Sequence, residues 1–386
     1  MEINPAFYRD TWVEIDLDFI KGNIMRLKKR LRPDTRLFAV VKANAYGHGA
    51  LQIAQTALLS GADYLAVAFL DEAIQLRKNG ITAPILVLGA VRPIDTPIAV
   101  EYEITVTMLE ADWLKKTAEV LDSNDTLKIH IKLDTGMGRI GLRKKEEIYE
   151  VECLLASHKN IKAEGIFTHF ATADETDSIY VQEQLERFQK MLSCFSNKPS
   201  IVHCSNSAAS LLYPEMQFNA VRMGISMYGL TPSLDIEKKL PYLLKEAFSL
   251  HTQIVQVKKL QKGDKVSYGA TYEASEEEWI GTLPIGYADG WLRKLSGQEV
   301  LVNGKRVPII GRVCMDQCMI KLPCCMEVGT KVTLIGQQGN DVISVNEIAA
   351  KLQTINYEIT CSISNRVPRV YKNDGKIIDI INPLVQ

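Results

Sequence analysis

The chain has 386 residues, of which 46% are hydrophobic and 24% charged, with 45 basic against 46 acidic side chains. That balance excludes a disordered tail and a membrane bundle, and a net charge of −1 gives no global field for nucleic acid or an anionic membrane. At about 150 residues per domain the length suggests two or three domains. The opening MEINPAFYRD has neither a basic nor an apolar leader region, so a cytoplasmic protein is expected.

Taken in chain order, Thr11–Leu17 alternates like a strand able to pair with either domain. Short apolar runs follow at Leu37–Lys42, Tyr64–Ala68, Ile85–Leu88, Thr105–Leu109, Leu127–Leu133, Ala163–Thr168, Ile201–Cys204 and Phe218–Ser226. Between most of them lie amphipathic stretches such as Asp71–Asn79, Lys144–Ser157 and Tyr180–Phe195, with apolar residues three and four apart. Eight strand–helix units match a (β/α)8 TIM barrel, since each parallel step needs a crossover; an open doubly wound sheet is the competitor. After Pro241 the texture becomes that of a mainly β domain, with strands expected at Leu250–Leu260, Trp279–Leu283, Glu299–Ile310, Met319–Leu322 and Lys331–Ile335. Asn303-Gly304 between VLV and RVPII is a hairpin signal. The expected division is 1–244 for the barrel and 245–386 for the β domain.

The eight cysteines include the group Cys314, Cys318, Cys324 and Cys325. They lack a CxxC pair and no histidine follows His251, so thiols in a reducing compartment are expected and no metal.

In a barrel, functional groups collect at the carboxyl ends of the strands. LFAVV runs into Lys42, followed by ANAYGHG with Tyr46 and His48. A lysine there can simply snorkel into water, or it can be an amine whose pKa falls on desolvation, suited to a Schiff base or to carrying a proton. IHIKLDTGMGRIG brings Lys132, Asp134 and Arg139; the next strands end at Thr168-His169 and at His203 with Ser205-Asn206-Ser207; AVRMGI carries Arg222 and Gly224. Each alone reads as a core histidine or a surface ion pair. Their recurrence at five strand ends does not. There is no Walker loop and no GxGxxG, so a nucleotide site has little support.

The strings VVKANAYGHG, KLDTGMGRIG, THFATAD, HCSNSAA, VRMGISMYG, VSYGATY, GYADG, GRVCMDQ and NYEITCSISNRVPRVY occur in this order. Together they closely resemble the alanine racemase family, pyridoxal-phosphate enzymes of bacterial cell-wall metabolism. The resemblance implies a barrel plus a C-terminal β domain and a head-to-tail homodimer with shared active sites. It implies that Lys42 carries the cofactor. It puts the phosphate against Tyr46, Ser207, Tyr357 and the backbone of Gly224 and Ile225. Arg222 would face the pyridine nitrogen and leave it unprotonated, held by His203. Lys42 and Tyr268, the latter from the other subunit, would be the bases on opposite faces of the substrate's α-carbon. His169 would hydrogen-bond the phenol, with Arg139 near it and the substrate carboxylate. Met315 and Asp316 would reach the substrate pocket from the partner chain, with Tyr287 near its entrance. Lys132 matches a position carbamylated in parts of the family, where the carbamate orients the arginine. The implied reaction is racemisation of alanine, supplying D-alanine for peptidoglycan. A broader racemase accepting serine-like side chains and a non-catalytic cofactor-binding module are the alternatives.

Overall fold

The computed structural model describes residues 7–385. Eight strands, β2 (Arg36–Val40), β3 (Tyr64–Val67), β4 (Ile85–Val87), β5 (Thr105–Met108), β6 (Leu127–Lys132), β7 (Ile161–Phe167), β8 (Ile201–His203) and β9 (Ala220–Met223), close into a parallel barrel in sequence order, with β2 pairing β9; β1 (Thr11–Asp16) lies outside it. The closed barrel is the expected TIM architecture, and the open-sheet competitor is excluded. These strands are buried on both faces, which is why LFAV and YLAV read as continuous apolar runs rather than alternations. Phe38, Tyr64, Leu86, Ile201 and Ala220 form one cluster of the interior.

The crossover helices follow the apolar spacing. Ile179–Ser193 buries Val181, Leu185, Phe188 and Leu192, a stripe at helical period. Each such side chain contributes about 1.5–3 kcal/mol on full burial. The last barrel strand is shorter than Phe218–Ser226. Phe218 sits at φ +45, and beyond Gly224 the chain coils into a 3-10 turn, Ile225–Tyr228.

The remaining strands are β10 (Phe248–Gln253), β11 (Gln256–Leu260), β12 (Lys265–Val266), β13 (Tyr272–Glu273), β14 (Glu278–Leu283), β15 (Glu299–Val302), β16 (Lys305–Ile310), β17 (Cys318–Leu322), β18 (Lys331–Gln338), β19 (Asp341–Ile343), β20 (Arg369–Asn373) and β21 (Lys376–Ile381). They form a sheet in the order β11-β14-β17-β16-β15-β18-β10-β1-β20-β21, with β19 on β18 and the small pair β12–β13 apart. β1 lies inside this sheet, antiparallel to β10 and parallel to β20. The expected single strand Leu250–Leu260 is two. The backbone leaves the ladder at Ile254 and Val255, whose amides donate to Thr330 and Thr282, and resumes in β11 beside β14. Asn303 and Gly304, at φ +49 and +74, turn the β15–β16 hairpin as their sequence suggests. Two helices the strand pattern did not announce, Val345–Leu352 and Asn356–Ser362, follow β19.

By contacts the chain forms two compact units. One comprises the stretch through Phe19, Tyr46–Gly49 and everything from Glu246; the other comprises Ile20–Ala45 and Ala50–Lys245. Within the first, Gly47 stands at φ +83 with its α-carbon against the chain of helix Asn356–Ser362. A Cβ there would lie 2.1 Å from the Thr360 carbonyl oxygen. Gly47→Ala is therefore expected to cost at least about 2 kcal/mol through backbone strain and overlap. A urea-unfolding midpoint equal to that of the parent chain would show that the Thr360 carbonyl yields instead.

Candidate active site

The barrel gathers its polar residues at the carboxyl ends of its strands. Arg222, on β9, is only 3% exposed. Its Nη1 donates to His203 Nδ1 at 2.8 Å, and its Nη2 donates to the carbonyls of Thr168 and Cys204, both at 2.9 Å. A longer contact of 3.2 Å reaches His169 Nδ1. Burial lowers the guanidinium to about 10, which still leaves it charged at neutral pH. A guanidinium only donates, so both imidazoles turn an unprotonated Nδ1 toward it. Burial and then the Arg222 charge hold His169 and His203 well below the ordinary histidine range, and both are neutral. His169 therefore keeps its proton on Nε2 as a donor.

Lys132 closes β6, fully enclosed, with Nζ donating to its neighbour's carbonyl at Leu133 and lying 5.1 Å from the Phe167 ring centroid. Burial, then Arg222 and Arg139, lower its amine to about 7, against a smaller opposing effect of Asp134. Arg139 is exposed on the glycine-punctuated turn, and Lys42 is half-buried after β2. The charges of both reach His169.

The backbone after Lys42 is unusual. Ala43, Asn44, Ala45 and Tyr46 all have φ between +51 and +53, a left-handed turn without glycine. Each such residue costs roughly 1–2 kcal/mol, so the surroundings must impose the turn. Glu72 does part of this. Its carboxylate accepts from Ala43 N at 2.6 Å and from Ala68 N at 2.7 Å, clamping the ends of two strands together. Asn44 Oδ1 accepts from Ala50 N at 2.8 Å.

Ser207 opens the helix Ser207–Leu212, capped by the Asn206 side chain. Ser207 Oγ accepts the amide of Gly224 at 2.8 Å and lies 3.4 Å from that of Ser226. The Ser226 hydroxyl is buried with no partner among the described residues. Buried hydroxyls and amides converge there, and an orphaned buried polar atom calls for a ligand oxygen. This donor set fits a phosphate, and Lys42 would supply the amine that an aldehyde cofactor requires.

The other unit holds the rest of the expected residues. Tyr46 is buried, its ring 6.0 Å from that of Tyr357, and burial, with Tyr357 beside it, raises its phenol so that it stays protonated as a donor. Tyr268, Met315 and Asp316 line one cavity of about 530 Å3 with Ser267, Cys314 and Gln317. Tyr268 is 70% exposed and Met315 53%. Asp316 pairs with Arg366 at 2.8 Å, and Tyr287 stands in the 3-10 turn Tyr287–Asp289. Ser267, immediately before the tyrosine, has φ +68 and ψ 178, a region almost restricted to glycine; its hydroxyl donates to the Arg312 carbonyl at 2.6 Å. Sequence reasoning singled out neither this strain nor Glu72. Nor did it single out His130 and Glu164, although a charged or imidazole side chain inside a doubly buried strand is a detectable signal.

A parallel barrel with an amine, a buried guanidinium and two neutral imidazoles at its carboxyl end, followed in sequence by a mainly antiparallel sheet, defines a class of two-part barrel enzymes. Profiles for the alanine racemase N-terminal and C-terminal domains match residues 15–232 and 247–371. An alanine racemase of Geobacillus kaustophilus is 56% identical over 97% of this chain and 98% of its own. The crystal structure of alanine racemase from Bacillus anthracis with bound L-Ala-P superposes with a TM-score of 0.96 at 51% identity, covering 98% of this chain and 99% of that one. A histidine racemase from Leuconostoc mesenteroides superposes at 0.91 with 33% identity, over 95% and 99% of the two chains. The chain belongs to the alanine racemase family, a family of isomerases.

The Lys132 amine carries a pH dependence. The unfolded lysine keeps its proton to about 10.5 and the folded one only to about 7. Between these values the unfolded state binds more protons, so stability rises with pH by up to about 1.4 kcal/mol per unit. Lys132→Met is expected to remove that part of the slope between pH 7 and 9, read from urea midpoints in buffer free of carbon dioxide. Parallel pH profiles of parent and variant would contradict it.

Proposed function

We propose that the chain interconverts L- and D-alanine with pyridoxal 5'-phosphate, using one proton-handling group on each face of the α-carbon. The observation that carries the reading is Arg222, buried, charged and held on its far side by His203 and two carbonyls. A guanidinium offers a hydrogen bond to the cofactor's ring nitrogen without transferring a proton, which favours clean proton return over side reactions. Bound pyridoxal phosphate supplies the electron sink that acidifies the α-hydrogen.

The chain's own residues do the rest. Lys42 would hold the cofactor, and its amine would handle the proton on one face. Ser207, the amides of Gly224 and Ile225, and the phenols of Tyr46 and Tyr357 bind the phosphate. Tyr268 of a second copy handles the proton on the opposite face, steadied by the Nε2–H of His169. Arg139 binds the substrate carboxylate, and Met315 and Asp316 limit the side-chain pocket, with Tyr287 at its entrance. The neutral fraction of Lys132 can add carbon dioxide, releasing a proton and forming a carbamate that orients Arg139. The exposure of Tyr268 and Met315 around one cavity supports a homodimer in which another copy covers them. Among the described residues no helix is long and apolar enough to cross a membrane. A cytoplasmic supply of D-alanine for peptidoglycan is the assigned role, with neither nucleic acid nor membrane as partner.

A larger substrate is the second reading, favoured by one observation: a histidine racemase shares this fold. The relatives at 50–56% identity are alanine racemases, and alanine is preferred.

The test is proton NMR of L-alanine in D2O with the cofactor-loaded protein and a chiral assay, repeated with serine and histidine. Loss of the α-proton signal with appearance of D-alanine is expected; exchange confined to a larger amino acid favours the second reading, and bound cofactor without exchange overturns both. Lys42→Ala should lose the borohydride-trapped cofactor adduct that the parent retains. Tyr268→Phe should keep the cofactor and lose α-proton exchange far more for one enantiomer than the other. Equal losses for both enantiomers would remove Tyr268 as a one-face base.

A further inference from the structure

The Arg222–His203 pair is the visible end of a longer line. His203 Nε2 lies within hydrogen-bond distance of His130 Nδ1 at 2.9 Å, while His130 Nε2, with no hydrogen-bond partner among the described residues, faces Glu164 Oε2 at 3.8 Å, an electrostatic contact. The same carboxylate oxygen accepts the Tyr64 hydroxyl at 2.7 Å and lies 3.4 Å from the Thr105 hydroxyl. Tyr64 and Thr105 are the first residues of β3 and β5, so Glu164 sits toward the amino end of the barrel, opposite the candidate site. The line crosses the barrel interior; His130 and His203 have no exposed surface.

The direction of each bond is dictated. Arg222 donates, so His203 accepts on Nδ1 and carries its proton on Nε2. That proton is donated to His130 Nδ1, which leaves the His130 proton on Nε2, aimed at Glu164. The carboxylate can only accept. Both ends thus demand the same pair of tautomers, and the protons all point away from the guanidinium.

Two backbone devices serve His130. The β6–β7 register shifts between Ile129 and His130, an irregularity that re-aims a side chain. Opposite it stands Gly165, where a Cβ would lie 2.5–2.7 Å from three atoms of the His130 ring. Any side chain there would expel the imidazole from the line. The Phe167 ring stacks on His203 at 4.8 Å and 2°, fixing the plane of the next link. Neutral imidazoles are what the line requires, and burial first, then Arg222, keeps His203 neutral; Glu164, with the His130 ring beside it and the Tyr64 hydroxyl donating to it, is held at about 2 and ionised.

We infer that Glu164, acting through His130, is a positioning residue for Arg222: its carboxylate fixes from the opposite end of the barrel the tautomer and orientation of His203, and so the aim of the guanidinium. Its consequence for catalysis rests on the placement of Arg222 against the cofactor ring proposed above. The line itself does not, because it is made of the protein's own residues.

The experiment is therefore made first without cofactor. Long-range proton–nitrogen correlation on histidine-labelled protein should show His130 and His203 both protonated on Nε2 alone from pH 6 to 8. A proton on Nδ1 of either ring, or on both nitrogens of one ring, overturns the inference. In Glu164→Gln, which keeps an acceptor but removes the charge, the His130 Nε2 proton should move to lower frequency. The His203 Nε2 proton, one ring further on, should move in the same direction. A purely structural Glu164 would leave His203 where it was, and that result overturns the proposal. Glu164→Lys offers a donor where an acceptor is needed and should bring an Nδ1 proton onto His130; unchanged tautomers in a folded Glu164→Lys chain likewise overturn it. Loading with pyridoxal phosphate then separates the two readings: failure to bind it would sink the proposed function and leave the tautomer result intact.

Discussion

A guanidinium buried in a barrel cannot shed its charge, and every group around it must accommodate that fact. Arg222 obliges its neighbours to accept hydrogen bonds and, after burial, helps to keep two histidines neutral and to lower the amine of Lys132. In water none of this would follow, because the solvent would absorb the field. The closed barrel excludes water, and so burial and this one cation together set the protonation of the groups around it. The chemistry assigned to the family needs such a condition, since racemisation depends on groups that either hold or pass a proton reliably at neutral pH.

The barrel was legible because its strands are buried on both faces and its helices on one, two patterns that composition cannot hide. The amine, guanidinium and imidazoles at strand ends were legible for the same reason, since a polar residue closing an apolar run stands out. Three features were not. The left-handed turn of Ala43, Asn44, Ala45 and Tyr46 has no glycine to announce it; it is imposed by tertiary partners such as Glu72, remote in sequence. The break between β10 and β11 falls at Ile254-Val255, between Gln253 and Gln256, with no glycine or proline to mark it. Ser267 is ordinary in composition and strained only by the fold that surrounds it. The role of Glu164 was hidden differently, because its partners lie on three other strands and only closure brings them together.

The two units use their polar residues differently. In the barrel they converge on enclosed groups whose protonation is shifted. In the β-rich unit Glu14 is the nearest counterpart, held at about 2 despite burial by His251, Lys372, Trp12 and Lys331, a cluster that ties strands together. Around Tyr268, by contrast, the side chains stand in the open. That unit contributes a presented surface.

The place of β1 has a consequence for how the protein is made. Its neighbours in the sheet are β10 and β20, from the far side of the barrel sequence and from near the end of the described chain. Among the described residues the earliest strand to leave the ribosome is thus held open until the latest ones arrive, while all eight barrel strands lie between and can close beforehand. Contacts of such long sequence separation form slowly. The order of synthesis thus allows the barrel to close while Thr11, Val13 and Ile15, the buried face of β1, still lack their sheet.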